Sequence, residues 1–174
     1  MINLFVPDIY QKSIYDINYK KLKKNGIKCL AFDLDNTLVS ANVRVPHKKL
    51  KDLIEDLKEM GFKVIIISNT YKSRVEVFKD GLCVDSSFMS MKPFKRKYLK
   101  VLKIYKYKPS QIACIGDQLL TDILGANKMG FTSILINPIG TMDFVFTKIN
   151  RLVESFIYNT LERKDLLKKG QYYE

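Results

Sequence analysis

Two aspartates two positions apart, Asp33 and Asp35, close an apolar run, and Asn36 and Thr37 follow directly. Carboxylates at that spacing suit phosphoryl transfer: one attacks phosphorus, and its neighbour handles the leaving group's proton. In an extended segment the side chains at i and i+2 point the same way, so both acids can converge on one substrate. Taken alone, the pair equally suits a solvated loop or a generic cation site. The placement of the other polar groups along the chain decides between these readings.

Residues Ile27–Asp33, Lys63–Ser68, Val84–Met89, Gln111–Gly116 and Thr132–Asn137 read as strands, short and largely apolar with no helical period. Amphipathic stretches between them predict helices over His47–Met60, Lys72–Asp80, Lys95–Tyr105 and Leu119–Met129. Gly61, Gly81, Pro93, Pro109 and Gly130 mark their boundaries. This alternation predicts an α/β fold: a three-layer, Rossmann-like parallel sheet of about five strands with helices on both faces. Ligands bind such sheets beyond the carboxyl ends of the strands. There the first strand delivers Asp33, the second Ser68 and Asn69, the third leads to Lys92, and the fourth ends on Gly116 and Asp117. A packed core has no need of a nucleophile, a hydroxyl, an ammonium and a third carboxylate along one edge.

At 174 residues and 47% apolar, the chain is expected to form a single domain spanning 1–174. Residues 1–26 read as an appended arm and 144–174 as a helical tail, packing on the core through Val145, Ile149, Leu152, Phe156 and Tyr158. No run of about 18 apolar residues is present to span a bilayer. The first residues lack the pattern of a signal peptide, so the expected location is the cytoplasm, with peripheral attachment at the inner membrane face. Cys29, Cys83 and Cys114 are far apart and read as reduced, buried apolar residues; a single histidine, His47, argues against a His-based triad or a structural zinc.

The net charge is +12, mostly from lysine. Two readings of that excess stand: base composition of the source genome, or attraction to phosphate-bearing partners such as lipid headgroups, nucleic acid or a ribosome surface. From Lys92 to Lys108 there are eight basic residues and no acidic one. Phe94, Tyr98, Val101, Leu102 and Tyr105 follow a helical period there, which predicts that they are buried while the lysines coat the outer faces.

Hydrolysis of a phosphate monoester dianion is very slow without a catalyst, so a site must supply strong electrostatic stabilisation. A carboxylate attacking a phosphate meets anion–anion repulsion, which a hard divalent cation relieves; Mg²⁺ takes oxygen ligands from few carboxylates. Asp33 and Asp117, with the backbone carbonyl of Asp35, are the expected ligands. Lys92 places a point charge near the nucleophile and the phosphoryl oxygens. Ser68 can donate a hydroxyl hydrogen bond, and the amides of Asp35 and Asn69 can do likewise. Asp35 protonates the leaving alcohol and then deprotonates the water that completes hydrolysis. Thr37 and Arg74 join Ser68 and Asn69 as candidate substrate contacts, with Asn36, Gly116 and Asp122 in support. Asp122 is placed to orient Lys92 or a metal-bound water. Arg74 either reaches a distal anionic headgroup or pairs with Glu76 or Asp80. Asn127 and Arg151 read as structural, capping a helix or tying the tail to the core.

These motifs, in this order, resemble those of the haloacid dehalogenase (HAD) superfamily. Asp33-Leu34-Asp35-Asn36-Thr37 is similar to its first motif, Ser68 after Val64–Ile67 to its second, Lys92-Pro93 to its third, and Gly116-Asp117 through Asp122 to its fourth. The resemblance implies an aspartyl-phosphate intermediate, a Mg²⁺ cofactor and a phosphorylated substrate. An aspartate at position 35 implies a phosphatase or phosphomutase, because dehalogenases and ion-pumping ATPases lack that acid/base. The longer stretch from Gly116 to Asn127, with Ser68-Asn69, Arg74-Val75, Asn150-Arg151 and Glu154, is similar to the YqeG branch of HAD phosphatases. That branch is related to the phosphatidylglycerophosphate phosphatases of mitochondria and chloroplasts, and the resemblance runs from Pro7 to Glu154. Cap domains of the superfamily are inserted between the first and second or the second and third motifs. Here those gaps hold one helix, and one helix with one strand, so no cap is expected and the mouth should be open.

The expected function is therefore Mg²⁺-dependent phosphomonoester hydrolysis, on a bulky substrate such as phosphatidylglycerophosphate at a membrane surface. Two alternatives stand beside it: a phosphatase for nucleic-acid ends or phosphoproteins, and an RNA- or ribosome-binding scaffold that keeps the fold.

Overall fold

The computed structural model of the chain describes residues 2–140 and 145–174, the side chains of 145–150 excepted. The contacts expected of Phe144, Val145 and Ile149, and the side chain of Asn150, therefore lie outside the described residues.

The elements run β1 (Ile9–Gln11), α1 (Tyr19–Lys24), β2 (Cys29–Phe32), α2 (Lys48–Glu59), β3 (Lys63–Ile67) and α3 (Lys72–Leu82). They continue as β4 (Asp85–Ser87), α4 (Arg96–Tyr105), β5 (Ile112–Gly116), α5 (Leu124–Met129), β6 (Thr132–Ile136) and α6 (Val145–Arg163). All six strands form one parallel sheet in the order β1-β6-β5-β2-β3-β4. Every residue of β2 and β5 is buried, so these two apolar strands take the centre. Phe32 pairs with Ile66 on one side and Ile115 on the other. That register brings the chain exits after β2, β3 and β5 side by side.

Alternation along the strands divides the core into two layers. Leu30, Phe32, Val64, Ile66 and Ile115 face Leu50, Ile54 and Leu57 of α2 and Val75 and Phe78 of α3. Ala31, Ile65, Ile67 and Cys114 face Tyr98 and Val101 of α4 and Ala126 of α5. Between β2 and β3 lies a single helix, and between β3 and β4 another, so the expected absence of a cap domain holds.

The expected fold class is found, with one strand more than the five read from the sequence. The sixth, β1, comes from the segment read as an arm; at three residues it is too short to show a period. It is fixed to β6 beyond the ladder by Asp8, whose carboxylate accepts from the Ser133 amide at 2.8 Å. Its outer edge is covered by the C-terminal segment, where Tyr10 and Tyr173 exchange backbone hydrogen bonds of 2.9 Å. Asn127 also ties down this N-terminal segment, donating to the carbonyls of Leu4 and Val6.

Four expectations are corrected. The helix read over Leu119–Met129 begins with a π-helical turn, Leu119–Ile123, before α5. Cys83 is exposed, because it follows the last turn of α3 in a left-handed conformation (φ 50°), whereas Cys29 and Cys114 are buried in strands as expected. Phe94 is exposed, because α4 starts only at Arg96 and a turn, Phe94 N–H to the Met91 carbonyl at 2.9 Å, carries Phe94 outward. The tail helix is rotated from the expected face: Leu152 and Phe156 are each 76% exposed, and Glu154, Ile157 and Leu161 are buried instead. Both sets satisfy a helical period. The second wins because Ile157 and Leu161 complete a cluster with Tyr10, Leu119, Ile123 and Leu135. Among the described residues no helix is long and apolar enough to cross a membrane.

The orientation of α6 is directly measurable. Leu161→Ala should cost about 2–5 kcal/mol in urea unfolding, as for a buried leucine, whereas Phe156→Ala should change stability by less than about 0.5 kcal/mol. Comparable losses from the two variants would show that α6 packs by another face.

Candidate active site

The carboxyl edge of the sheet collects the expected residues. Asp33 follows β2 directly, and its amide donates to the Ile115 carbonyl at 2.9 Å. The chain then turns sharply, with Asn36 at φ 63° and its amide bonded to the Val39 carbonyl at 2.7 Å. Asparagine tolerates that left-handed conformation better than most side chains, a physical reason for its place in the motif. The turn aims Thr37 at the end of β5, where its hydroxyl donates to Asp117 Oδ1 at 3.2 Å.

Lys92 is the centre of the site. Its ammonium lies 2.6 Å from Asp33 Oδ1 and 2.6 Å from Asp122 Oδ1, and all three side chains are buried. Burial alone would depress the lysine's pKa, but Asp122 and Asp33 outweigh it and hold the ammonium well above the usual range. The backbone of Lys92 is clamped by Asn69, which accepts from its amide at 2.7 Å and donates to its carbonyl at 3.3 Å. Read from sequence as a substrate contact, Asn69 here spends its side chain on holding the lysine. Ser68 is buried beside it and accepts from the Thr70 amide through its hydroxyl oxygen at 3.3 Å.

Asp122, expected to orient Lys92 or a metal-bound water, pairs with Lys92 through one oxygen. Its second oxygen accepts from the Gln118 amide at 3.1 Å. Gly116 makes room for it: a Cβ on that residue would lie 2.2 Å from Asp122 Cγ. No side chain larger than hydrogen fits there without moving Asp122 off the lysine.

Two arginines hold the remaining acids. Arg74 donates through Nε to Asp35 Oδ1 at 2.7 Å and through Nη1 to the Val43 carbonyl at 2.8 Å. The pairing of Arg74 with Glu76 or Asp80 considered from sequence is not found; Glu76 pairs with Lys72 and Asp80 with Lys79. Arg151 of α6 forms an ion pair with Asp117 Oδ2, and its Nη1 lies 3.3 Å from both the Asp117 carbonyl and Glu154 Oε2. Glu154 in turn accepts from the Leu120 amide at 2.9 Å, satisfying an N–H at the start of the π-helical turn. Arg151 does tie the tail to the core, and the core group it reaches is a site carboxylate. Its spacing from Glu154 is visible in the sequence; its contact with Asp117 depends on which face α6 presents.

Asp33, Asp117 and Asp122 each offer an oxygen within 4.8 Å of the others. Burial raises the Asp33 carboxyl to about 6 against the pull of Lys92, with Asp122 adding to the rise. Asp117 is pushed up to about 8, by burial first, with Arg151 opposing and Asp122 and Asp33 reinforcing. Glu154 rises to about 7, chiefly through burial. Holding all three as carboxylates would set three negative charges against two neighbouring cations, Lys92 and Arg151, and the raised values of Asp33 and Asp117 reflect that shortage of positive charge. The donors are all hard oxygens, so the cluster fits a hard divalent ion such as Mg²⁺.

Residues 41–130, which include Lys92, Asp117 and Asp122, match the haloacid dehalogenase-like hydrolases. The chain belongs to that family, and it is an enzyme of the family's phosphatase type. It is similar to the Bacillus subtilis (strain 168) protein named Probable phosphatase YqeG, with 37% identity over 160 residues, 92% of this chain and 93% of that protein. A more distant relative is Phosphatidylglycerophosphate phosphatase 1, chloroplastic/mitochondrial, of Arabidopsis thaliana, 24% identical over 158 residues; these span 84% of this chain but 45% of that protein. Among solved structures, the cobalt-bound deoxy-D-mannose-octulosonate 8-phosphate phosphatase of Haemophilus influenzae shares the fold. It aligns with a TM-score of 0.53 at 16% identity, over 80% of this chain and 94% of that one.

The dependence of the cluster on its lysine has a measurable consequence. Lys92→Met should destabilise the protein by about 3–5 kcal/mol in urea unfolding with EDTA present, because Asp33 and Asp122 lose their shared cation. Replacing Asp122 by leucine in the same chain should recover part of that loss. Equal stability of Lys92→Met and the wild type would show that the lysine carries no such charge balance.

Proposed function

We propose that the chain is a Mg²⁺-dependent phosphomonoester hydrolase that works through an aspartyl-phosphate on Asp33 and acts on a bulky substrate of the phosphatidylglycerophosphate kind. The observation that carries this reading is the Lys92 ammonium fixed between Asp33 and Asp122, beside Asp117. The lysine holds Asp33 ionised and in place, so one of its oxygens can attack phosphorus as the bond to the leaving oxygen breaks. Asp35, two residues on and nearer the solvent, gives its proton to that leaving alcohol. It then takes a proton from water as the water attacks phosphorus and the Asp33–phosphorus bond breaks, releasing inorganic phosphate and restoring the carboxylate. Arg74 fixes the orientation of Asp35 between these steps. The Ser68 hydroxyl and the amides of Asp35 and Asn69 are the donors assigned to the phosphoryl oxygens. Asp33, Asp117 and the Asp35 carbonyl would hold Mg²⁺, which when bound relieves the repulsion between carboxylate and phosphate.

Two observations support a bulky substrate. Among the described residues no cap domain is inserted between the motifs, and a relative matched over 84% of this chain and 45% of its own length carries the name of a phosphatidylglycerophosphate phosphatase. A complete set of acids and a lysine is more than an RNA- or ribosome-binding scaffold requires.

Turnover of an aryl phosphate should require Mg²⁺, stop with EDTA, and disappear in Asp33→Asn. Asp35→Asn should lower kcat by about 10²–10⁴-fold, the usual worth of general acid–base catalysis. Full turnover by Asp33→Asn would refute the covalent route. Phosphatidylglycerophosphate should have a higher kcat/KM than a soluble sugar phosphate or a 3′-phosphorylated oligonucleotide, and the reverse order would refute the substrate class.

A further inference from the structure

The mouth of the site carries apolar side chains that the fold leaves in solvent. Tyr71, Met89, Met91 and Phe94 are 55%, 61%, 64% and 67% exposed. All four sit on the two loops that deliver Ser68 and Lys92. The loops run side by side, joined by the Met89 amide donating to the Thr70 carbonyl at 2.9 Å and the Ser90 amide to the Ser68 carbonyl at 3.0 Å. Along the second loop the burial alternates: Ser90 and Lys92 are buried, and Met89 and Met91 are exposed. Met89 and Met91 take left-handed backbone (φ 43° and 53°) in this loop, a conformation that does not call for an apolar side chain.

The same rim is strongly cationic. Lys72 of α3 and Lys97 of α4 approach the Phe88 ring, at 5.9 and 5.5 Å from its centroid, and Lys95 and Arg96 are exposed next to Phe94. No acidic residue occurs between Asp85 and Asp117.

We propose that this rim is a docking surface for an anionic lipid bilayer, seating the carboxyl edge of the sheet against the membrane face. The inference rests on the phosphatase reading above and names the surface on which that site works. Single apolar side chains interleaved with basic ones match a lipid interface, where the former enter the acyl boundary and the latter meet anionic headgroups. A second copy of the chain is a poor occupant, because both partners would bring the same positive patch from molecules of net charge +12. Single-stranded nucleic acid is a poorer fit, because its binders stack bases on aromatic rings. Two of the four protruding residues here are methionines, whose flexible thioethers suit disordered acyl chains.

The test is vesicle flotation of the full chain, with aryl-phosphate turnover measured on the same preparations. Wild type and Asp33→Asn should both float with phosphatidylcholine vesicles containing about a third phosphatidylglycerol, and neither with phosphatidylcholine alone. Lys95→Glu/Arg96→Glu should weaken binding by at least about tenfold, and Met89→Ser/Met91→Ser/Phe94→Ser by a similar factor, with circular dichroism confirming that each is folded. The chain has no tryptophan, so Phe94→Trp provides a lone indole whose emission should shift to the blue on adding anionic vesicles. Absence of wild-type flotation with turnover intact would overturn the docking surface. So would unchanged flotation of the triple serine variant, or single-stranded RNA bound in preference to the vesicles. Flotation without turnover in the wild type would support the surface and refute the phosphatase reading instead.

Discussion

Lys92 holds its ammonium 2.6 Å from Asp33 and 2.6 Å from Asp122 among buried side chains, and each of these charges is tolerable there because the others are present. Desolvating one ion costs several kcal/mol, and close opposite charges with satisfied hydrogen bonds offset that cost. The arrangement also joins three stretches of chain distant in sequence: the end of β2, the loop after β4 and the turn after β5. Other features of the edge serve this contact. Asn69 clamps the lysine backbone, and Gly116 leaves the space that Asp122 fills. The Gln118 amide takes the oxygen of Asp122 that the lysine does not.

The arginines extend the same logic outward to the helices. Arg74 reaches Asp35 from α3, and Arg151 reaches Asp117 from α6, so two helices are referenced to the site by charge as well as by packing. A guanidinium suits that role because its planar fork can hold a carboxylate and a carbonyl together. Arg74 does so with Asp35 and the Val43 carbonyl, and Arg151 with Asp117 and that residue's own carbonyl. Glu154 then balances Arg151 and satisfies the Leu120 amide, so the tail helix carries polar groups into the core that have partners once it docks.

The sheet and the gathering of these side chains at its edge were legible because they depend on short-range pattern. Continuous apolar runs ending in Asp33, Ser68 and Gly116-Asp117 can be read without knowing their neighbours, and parallel pairing then places those ends together. What was not legible depends on choices between equal local patterns. Strand β1 is three residues long and draws its stability from Ser133 and Tyr173, each more than a hundred residues away. The tail offered two helical stripes, and only the cluster around Tyr10 and Leu119 selects Ile157 and Leu161 over Leu152 and Phe156. Phe94 fitted the period of α4 but falls in the turn before it, where the inward placement of Lys92 governs the backbone. Arg151 was seen as a tether, but its target was hidden, since it depends on that same choice of stripe.

Depth within the site separates the two proposed roles of its first motif. Asp33 is buried with Lys92, where low dielectric strengthens their attraction. Asp35 lies nearer the surface against Arg74, its side chain 15% exposed to Asp33's 8%. Hydrolysis through a covalent intermediate asks for that difference. The nucleophile gains from dryness, while the acid/base exchanges protons with a leaving alcohol and then with an entering water, so it must stand where both can reach it. Phosphatases with a cap can manage water by closing a domain over the site. This chain has one helix in each of the gaps where a cap would be inserted, so the step across the single residue Leu34, from Asp33 to Asp35, is what carries the site from its buried to its more exposed side. The turn at Asn36 sets that step by reversing the chain immediately after Asp35, which keeps the second acid at the mouth while Thr37 returns to the interior and Asp117.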